Sequence, residues 1–322
     1  MITFFKNYPK LGYSRGTRLL RAGVTLLIFF SMDTFAAQFN QFIAFGDSTI
    51  DTGYFRYNKT PIQAVVLAAV AKGASGAFVG SGEMNTTILA KKLGLSADPI
   101  GAGGFNYANG GALTYYPSVY PLPGTSVEAQ NIPTVTQIAN YLLAVKGVAN
   151  PKALYLISTG SNDLTHKVDL NISAIALAKS VATLQASGAK FILVVGNYNY
   201  AVLADKGGEI PPSKLAFLQE SLGYQELIWN ELRAAGVQFI PVDENKLFQE
   251  VVKNPLSYGF SPDSVLSPNA PCAGINSALL CTTMTSAQMK HYLFVDGVHF
   301  TTAGQAIEAD YAYSLLLQIP LH

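Results

Sequence analysis

The sequence predicts a three-layer α/β sandwich with a central, mostly parallel, five-stranded sheet. Short, uniformly apolar runs alternate with longer segments of helical length, the pattern of a parallel sheet covered by helices. Residues capable of chemistry fall directly after those runs, where an open parallel sheet binds its ligands. The chain also has the means to fill such a core: of 322 residues, 49% are hydrophobic and only 13% charged.

The elements follow in order. Lys6, Lys10, Arg15, Arg18 and Arg21 precede an apolar run over 22–32, and the small residues Thr34 and Ala36 suit cleavage between Ala36 and Ala37. Residues 1–36 therefore read as a secretory signal and 37–322 as one domain. The alternative, an N-terminal membrane anchor, suffers from a run well short of the roughly 20 residues a spanning helix needs. No cysteine adjoins the cleavage point, so a lipid-anchored N-terminus is not expected.

FIAFGD (42–47) is the first buried strand, and the apolar stretch 62–80, interrupted by Lys72 and glycines, suits a helix lining a greasy cleft. FNYAN (105–109) is a shorter strand. The Tyr-, Pro- and Ser-rich residues 114–131 read as an irregular surface excursion. Helices are expected over 132–147, 171–188, 211–236 and 301–319, and strands over 153–158 (ALYLIS), 191–196 (FILVVG) and 237–242 (VQFIPV). Residues 254–290 form a second irregular region. With the chain ending at His322, no C-terminal membrane anchor is expected.

A formal charge of +1, with basic residues clustered only at the N-terminus, leaves no footprint for nucleic acid. Losing residues 1–36 removes those five cations and Asp33, making the mature chain mildly acidic. Cys272 and Cys281, an even pair in an exported chain, are expected to form a disulfide. In the chain-entropy picture so short a loop stabilises by about 2.5 to 3 kcal/mol. Lying just before Asp296 and His299, it is placed to tie down or cover whatever they form.

The strand ends carry the functional reading. Ser48 follows the first strand, Asn109, Gly110 and Gly111 the second, and TGSND (159–163) the third, while FVDGVHFTTAG (294–304) sets Asp296 three residues before His299. Serine, histidine and aspartate converging with a glycine turn and an asparagine are the components of acyl transfer through a serine nucleophile. Here the sequence resembles the GDSL or SGNH hydrolases, a family of esterases, lipases and acyltransferases, over essentially the mature chain. FGDSTIDTG (45–53), NYANGGA (106–112), GSND (160–163) and DGVH (296–299) are similar to its four ordered blocks.

The resemblance implies the flavodoxin-like SGNH fold, with Ser48 as nucleophile and Asp296 and His299 completing a triad. It also implies an oxyanion hole from the N–H groups of Ser48 and Gly110 and the amide of Asn162. The chain departs from the family's habits at Thr49, Ile50, Tyr54 and Phe300, none of which removes a reacting group. The Gly-x-Ser-x-Gly elbow of the other large lipase fold is absent from the sequence. Asp47 is expected to hold the turn. His166, His291 and His322 have no constellation around them, and GAGGFN (101–106) lacks the spacing of a dinucleotide fingerprint, so no cofactor and no catalytic metal are expected.

The expectation is a carboxylic ester hydrolase, secreted or periplasmic and more readily extracellular. Its family branch implies a lipid substrate, through phospholipase, lysophospholipase or lipase activity, with transient contact at a membrane surface and no obligate protein partner. Acyl transfer to a sterol or lysolipid, deacetylation of a carbohydrate, and a non-catalytic surface-binding role stay open.

Overall fold

In a computed structural model, which describes residues 38–196, 212–273 and 277–319, the strands are β1 (Gln41–Gly46), β2 (Ser118–Pro121), β3 (Glu128–Asn131), β4 (Ala153–Ser158), β5 (Phe191–Val195) and β6 (Ile240–Val242). The signal segment over 1–36 and His322 lie outside the described residues. Helices α1 (Tyr54–Tyr57), α2 (Gln63–Val70), α3 (Asn85–Lys92), α4 (Thr134–Ala144), α5 (Ser161–His166) and α6 (Leu170–Ala186) come before residue 196. After it come α7 (Pro212–Ala234), α8 (Glu244–Lys253), α9 (Gln288–His291) and α10 (Thr302–Leu316).

The main sheet runs in the order β1-β4-β5-β6, every pair parallel, with Gly46 level with Ser158 at the carboxyl end. Successive side chains point to opposite faces, and both faces are apolar. Ile43, Phe45, Tyr155, Ile157, Ile192 and Val194 pack against α4, α6 and α7 through residues such as Tyr141, Leu177 and Ile228. Phe42, Ala44, Leu154, Leu156, Leu193 and Val195 pack against α3 and α10 through Leu89, Ala309 and Leu316. That alternation makes the three layers.

Two expectations need correcting. The sheet has four strands, not five: residues 105–109 run beside β1, joined through the bridge Ala44–Asn106 and the bonds Ala44 N–H to Phe105 O and Tyr107 N–H to Ala44 O. The ladder is interrupted there because the next β1 donor, Gly46 N–H, goes to Gln137 Oε1 instead of across to this segment, although Asn109 N–H still reaches the Gly46 carbonyl. Residues 114–131 are not wholly irregular either, since β2 and β3 pair as an antiparallel hairpin. Element lengths also differ. The apolar stretch 62–80 is helical only over α2, after which Gly73, Gly76 and Gly80 adopt positive φ. The last strand shrinks to three residues around Pro241, an edge position that tolerates a residue without an N–H.

Candidate active site

The turn after β1 is built to hold one short side chain in place. A Cβ on Gly46 would lie 1.9 Å from the Ser158 carbonyl oxygen, so only glycine lets β1 end so close to β4. The buried Gln137 amide brackets that glycine, accepting its N–H at 2.7 Å and donating to its carbonyl at 2.9 Å. Asp47 then closes the turn, its Oδ1 accepting from the N–H (3.0 Å) and hydroxyl (2.8 Å) of Thr49. Ser48 sits at the apex, almost buried, and its N–H donates to no acceptor among the described residues.

The second half comes from the segment between α9 and α10. Phe294 and Phe300 bridge antiparallel, and Val295 N–H donates to His299 O, folding residues 294–300 into a tight loop. Inside it Asp296 Oδ1 accepts the N–H groups of Val298 (2.8 Å) and His299 (2.7 Å). Asp296 Oδ2 accepts Ala278 N–H at 2.7 Å and lies 2.9 Å from His299 Nδ1. His299 Nε2 in turn lies 2.8 Å from Ser48 Oγ. With the ring proton on Nδ1 facing the carboxylate, Nε2 is left to accept the serine hydroxyl. The Phe78 ring covers the imidazole, centroids 5.0 Å apart.

The electrostatics follow this geometry. Burial pushes the Asp296 carboxyl up, but the neighbouring His299 and the two backbone donors more than offset that and hold it at about 2. Burial alone would lower His299, yet Asp296 and, more weakly, Asp47 raise it above its ordinary value. Asp47 itself is lifted to about 6 by burial, despite the donors from Thr49.

The glycine pair behaves differently from expectation. Gly110 N–H, the expected backbone donor, is given to Asp51 Oδ2 at 2.9 Å, and the other oxygen of that buried carboxylate accepts from Gly53 and Tyr54. In this geometry Gly110 is therefore not free to bind an oxyanion. The next N–H, of Gly111, has no acceptor among the described residues. Gly111 has a φ of 80°, and its carbonyl is clamped by the Asn131 amide (2.9 Å) and the Ser118 hydroxyl (3.3 Å) of the hairpin. A Cβ here would meet Asn131 and Tyr120 at 2.9 Å, and one on Gly110 would run into Phe78. Asn162 Nδ2 rests between Asp47 Oδ2 (3.3 Å) and the Ala112 carbonyl (3.1 Å), both long bonds.

The expected disulfide is present between Cys272 and Cys281, Cα atoms 6.0 Å apart. His166 and His291 lie exposed, the His166 ring nitrogen 2.9 Å from the Asn162 carbonyl oxygen. Among the described residues no three histidine, cysteine, aspartate or glutamate side chains gather at metal-binding spacing. Sequence reasoning missed Asp51, Gln137, Phe78 and Ala278. Only Asp51 left a local signal: an aspartate two and three residues before the N–H groups it accepts, as at a helix start.

The chain is 30% identical to esterase EstA of Pseudomonas aeruginosa, an alignment covering 86% of this chain and 47% of that protein. It is 28% identical to an uncharacterized protein of Pseudomonas putida, from the trpE-trpG intergenic region, over 94% of this chain and 53% of the other. The chain thus spans about half the length of these curated relatives. A solved Bacillus subtilis protein aligns over 86% of this chain and 56% of its own, at 12% identity and a TM-score of 0.41. The sequence from 42 to 312 matches the family described as GDSL-like Lipase/Acylhydrolase, to which the chain belongs.

Proposed function

We propose that the protein is an exported serine hydrolase that cleaves carboxylic esters through an acyl-enzyme on Ser48. The observation that carries this reading is the continuous chain from Ser48 Oγ through His299 to Asp296, at 2.8 and 2.9 Å. Serine is a weak nucleophile until a base takes its proton. His299 Nε2 is in hydrogen-bond range to do so, and Asp296, held ionised, stabilises the imidazolium that forms. The protonated His299 then returns the proton to the leaving alcohol, and water repeats the sequence on the acyl-enzyme. For the tetrahedral oxyanion we assign the N–H groups of Ser48 and Gly111, with Gly111 in the place expected of Gly110. The Asn162 amide joins them by giving up the longer of its two resting bonds. Losing one such donor costs about 100- to 1000-fold in rate.

The finer reading is a lipid ester. Support comes from α2, apolar on both sides: Val66 and Ala69 are buried while Ala64, Leu67 and Ala68 face outward. An apolar outer face on a short helix suits contact with an acyl chain or a lipid surface. Among the described residues no helix is long and apolar enough to cross a membrane. Export rests on the N-terminal signal pattern and the disulfide.

The test compares fatty-acid release from a lysophospholipid with hydrolysis of a short-chain aryl ester, for wild type and Leu67→Ser. Wild type is expected to cleave both, and Leu67→Ser to lose several-fold on the lipid while keeping the aryl ester. Equal loss on both would remove the lipid assignment, and cleavage of the aryl ester alone would redirect it to smaller esters such as acetylated sugars.

A further inference from the structure

The carboxylate of Asp296 receives four hydrogen bonds, and three come from its own loop: Val298 N–H, His299 N–H and His299 Nδ1. The fourth, Ala278 N–H at 2.7 Å, comes from 18 residues away and falls on Oδ2, the oxygen nearer the imidazole. Ala278 opens a short 3₁₀ turn, Ala278–Leu280, inside the loop that Cys272 and Cys281 close. A second bond fixes the other end of that loop to the same place, since Cys272 N–H donates to the carbonyl of Val295, the residue before Asp296. Cys272, Cys281, Ala278 and Leu279 are fully buried, and α2 packs against the turn.

We propose that the Cys272–Cys281 bridge and the Ala278–Leu280 turn are a positioning element for Asp296, with the bridge holding Ala278 N–H on Oδ2 so that the carboxylate stays aimed at His299 Nδ1. This rests on the reading of Asp296 as the carboxylate of the triad. Val298 and His299 fix Oδ1 from one side, and among the described residues Ala278 is the one backbone donor on Oδ2, the oxygen presented to the ring. Because the sulfurs are buried, the bridge must form as the chain folds, which ties full activity to maturation in an oxidising compartment. The charged or titratable groups facing the pair are few: Asp47 acts on His299, and Tyr120, close to Asp296, is pushed up to about 12 by burial and stays neutral.

The experiment removes the N–H and the bridge separately. Ala278→Pro deletes the donor at the first position of a turn, where proline is tolerated, and Ser277 before it is already extended (φ −158°, ψ 110°) as a residue preceding proline must be. The double variant Cys272→Ser/Cys281→Ser removes the bridge and keeps the N–H. Each is compared with wild type and Asp296→Asn for kcat, KM and the pH dependence of kcat/KM on an aryl ester.

Expected are a kcat lower by tenfold or more with KM within twofold in both variants, and an acid limb displaced downward toward the ordinary histidine value. A loop that merely stabilises the fold would lower the melting temperature and leave the acid limb in place, and that result overturns the proposal. So does wild-type kcat in the double variant, which decides the matter if Ala278→Pro fails to fold. Full activity in Asp296→Asn would remove the triad reading itself, whereas an inactive Asp296→Asn beside fully active loop variants would remove only the positioning role.

Discussion

Asp51→Asn isolates the network that engages the Gly110 N–H. The Asp51 side chain is buried and accepts three N–H groups, from Gly53 at 2.8 Å, Tyr54 at 2.6 Å and Gly110 at 2.9 Å. Asparagine keeps one oxygen for Gly53 and Tyr54 but turns an NH₂ toward the N–H of Gly110. One buried donor is then unmet, at a cost of about 1–3 kcal/mol. For a domain of this size each kcal/mol is worth about 2–4 °C, so the melting temperature at pH 8 should fall by about 2–12 °C.

The pH dependence carries a separate signature. Burial, against the pull of the three donors, raises the Asp51 carboxyl from 3.8 to about 6. A folded pKa above the unfolded one gives stability that is complete below about 3.8 and lost as pH rises through about 6. At 1.36 kcal/mol per unit that loss is about 3 kcal/mol, and asparagine does not titrate. The stability gap between wild type and Asp51→Asn must therefore be wider at pH 4–5 than at pH 8 by about 1.5–2.5 kcal/mol. Denaturant melts of both proteins at the two pH values measure it, with kcat on an aryl ester expected to drop as the glycine turn loosens. A gap that is the same at both pH values, or an Asp51→Asn protein as stable as wild type, would refute the reasoning.

Other outcomes follow from the same geometry. Because His299 must be neutral to accept the Ser48 proton and its pKa is raised, the acid limb of kcat/KM should have its midpoint above about 6.5 and fall tenfold per unit below it. A limb centred below that value, measured from pH 5 to 10, would contradict the Asp296 pairing. Gln137→Leu removes the acceptor of Gly46 N–H and should cost about 1–3 kcal/mol in a denaturant melt. It should also lower kcat, since the turn carrying Ser48 hangs from that glycine. Unchanged stability and rate would show that the bracket is dispensable.

The fold was legible where patterns are local. β4 is buried throughout and β1 from Phe42 onward, and the runs 42–47 and 153–158 announce this without reference to any other part of the chain. Ser48, Asn162, Asp296 and His299 were legible as strand-end and turn residues in ordered blocks, and the fold brings the first, third and fourth into hydrogen-bond contact. What stayed hidden depends on partners distant in sequence. Gly110 differs from Gly111 only because Asp51, 59 residues earlier, captures one N–H. Gln137 reaches Gly46 across 91 residues. The hairpin of β2 and β3 escaped notice because its strands are short and half exposed, with prolines and a glycine between apolar positions. Residues 105–109 have the composition of a strand, and only the capture of Gly46 N–H by Gln137 reveals why there is one bridge and no second.

The most direct test of the central claim is covalent trapping of the nucleophile. The mature protein is incubated with an alkyl aryl phosphonate, which phosphonylates an activated serine and mimics the tetrahedral intermediate, then digested and mapped by mass spectrometry. One adduct is expected, on Ser48, formed in step with loss of esterase activity and absent from Ser48→Ala and His299→Ala. An adduct on another residue, or a Ser48→Ala protein that keeps its esterase activity, would contradict it.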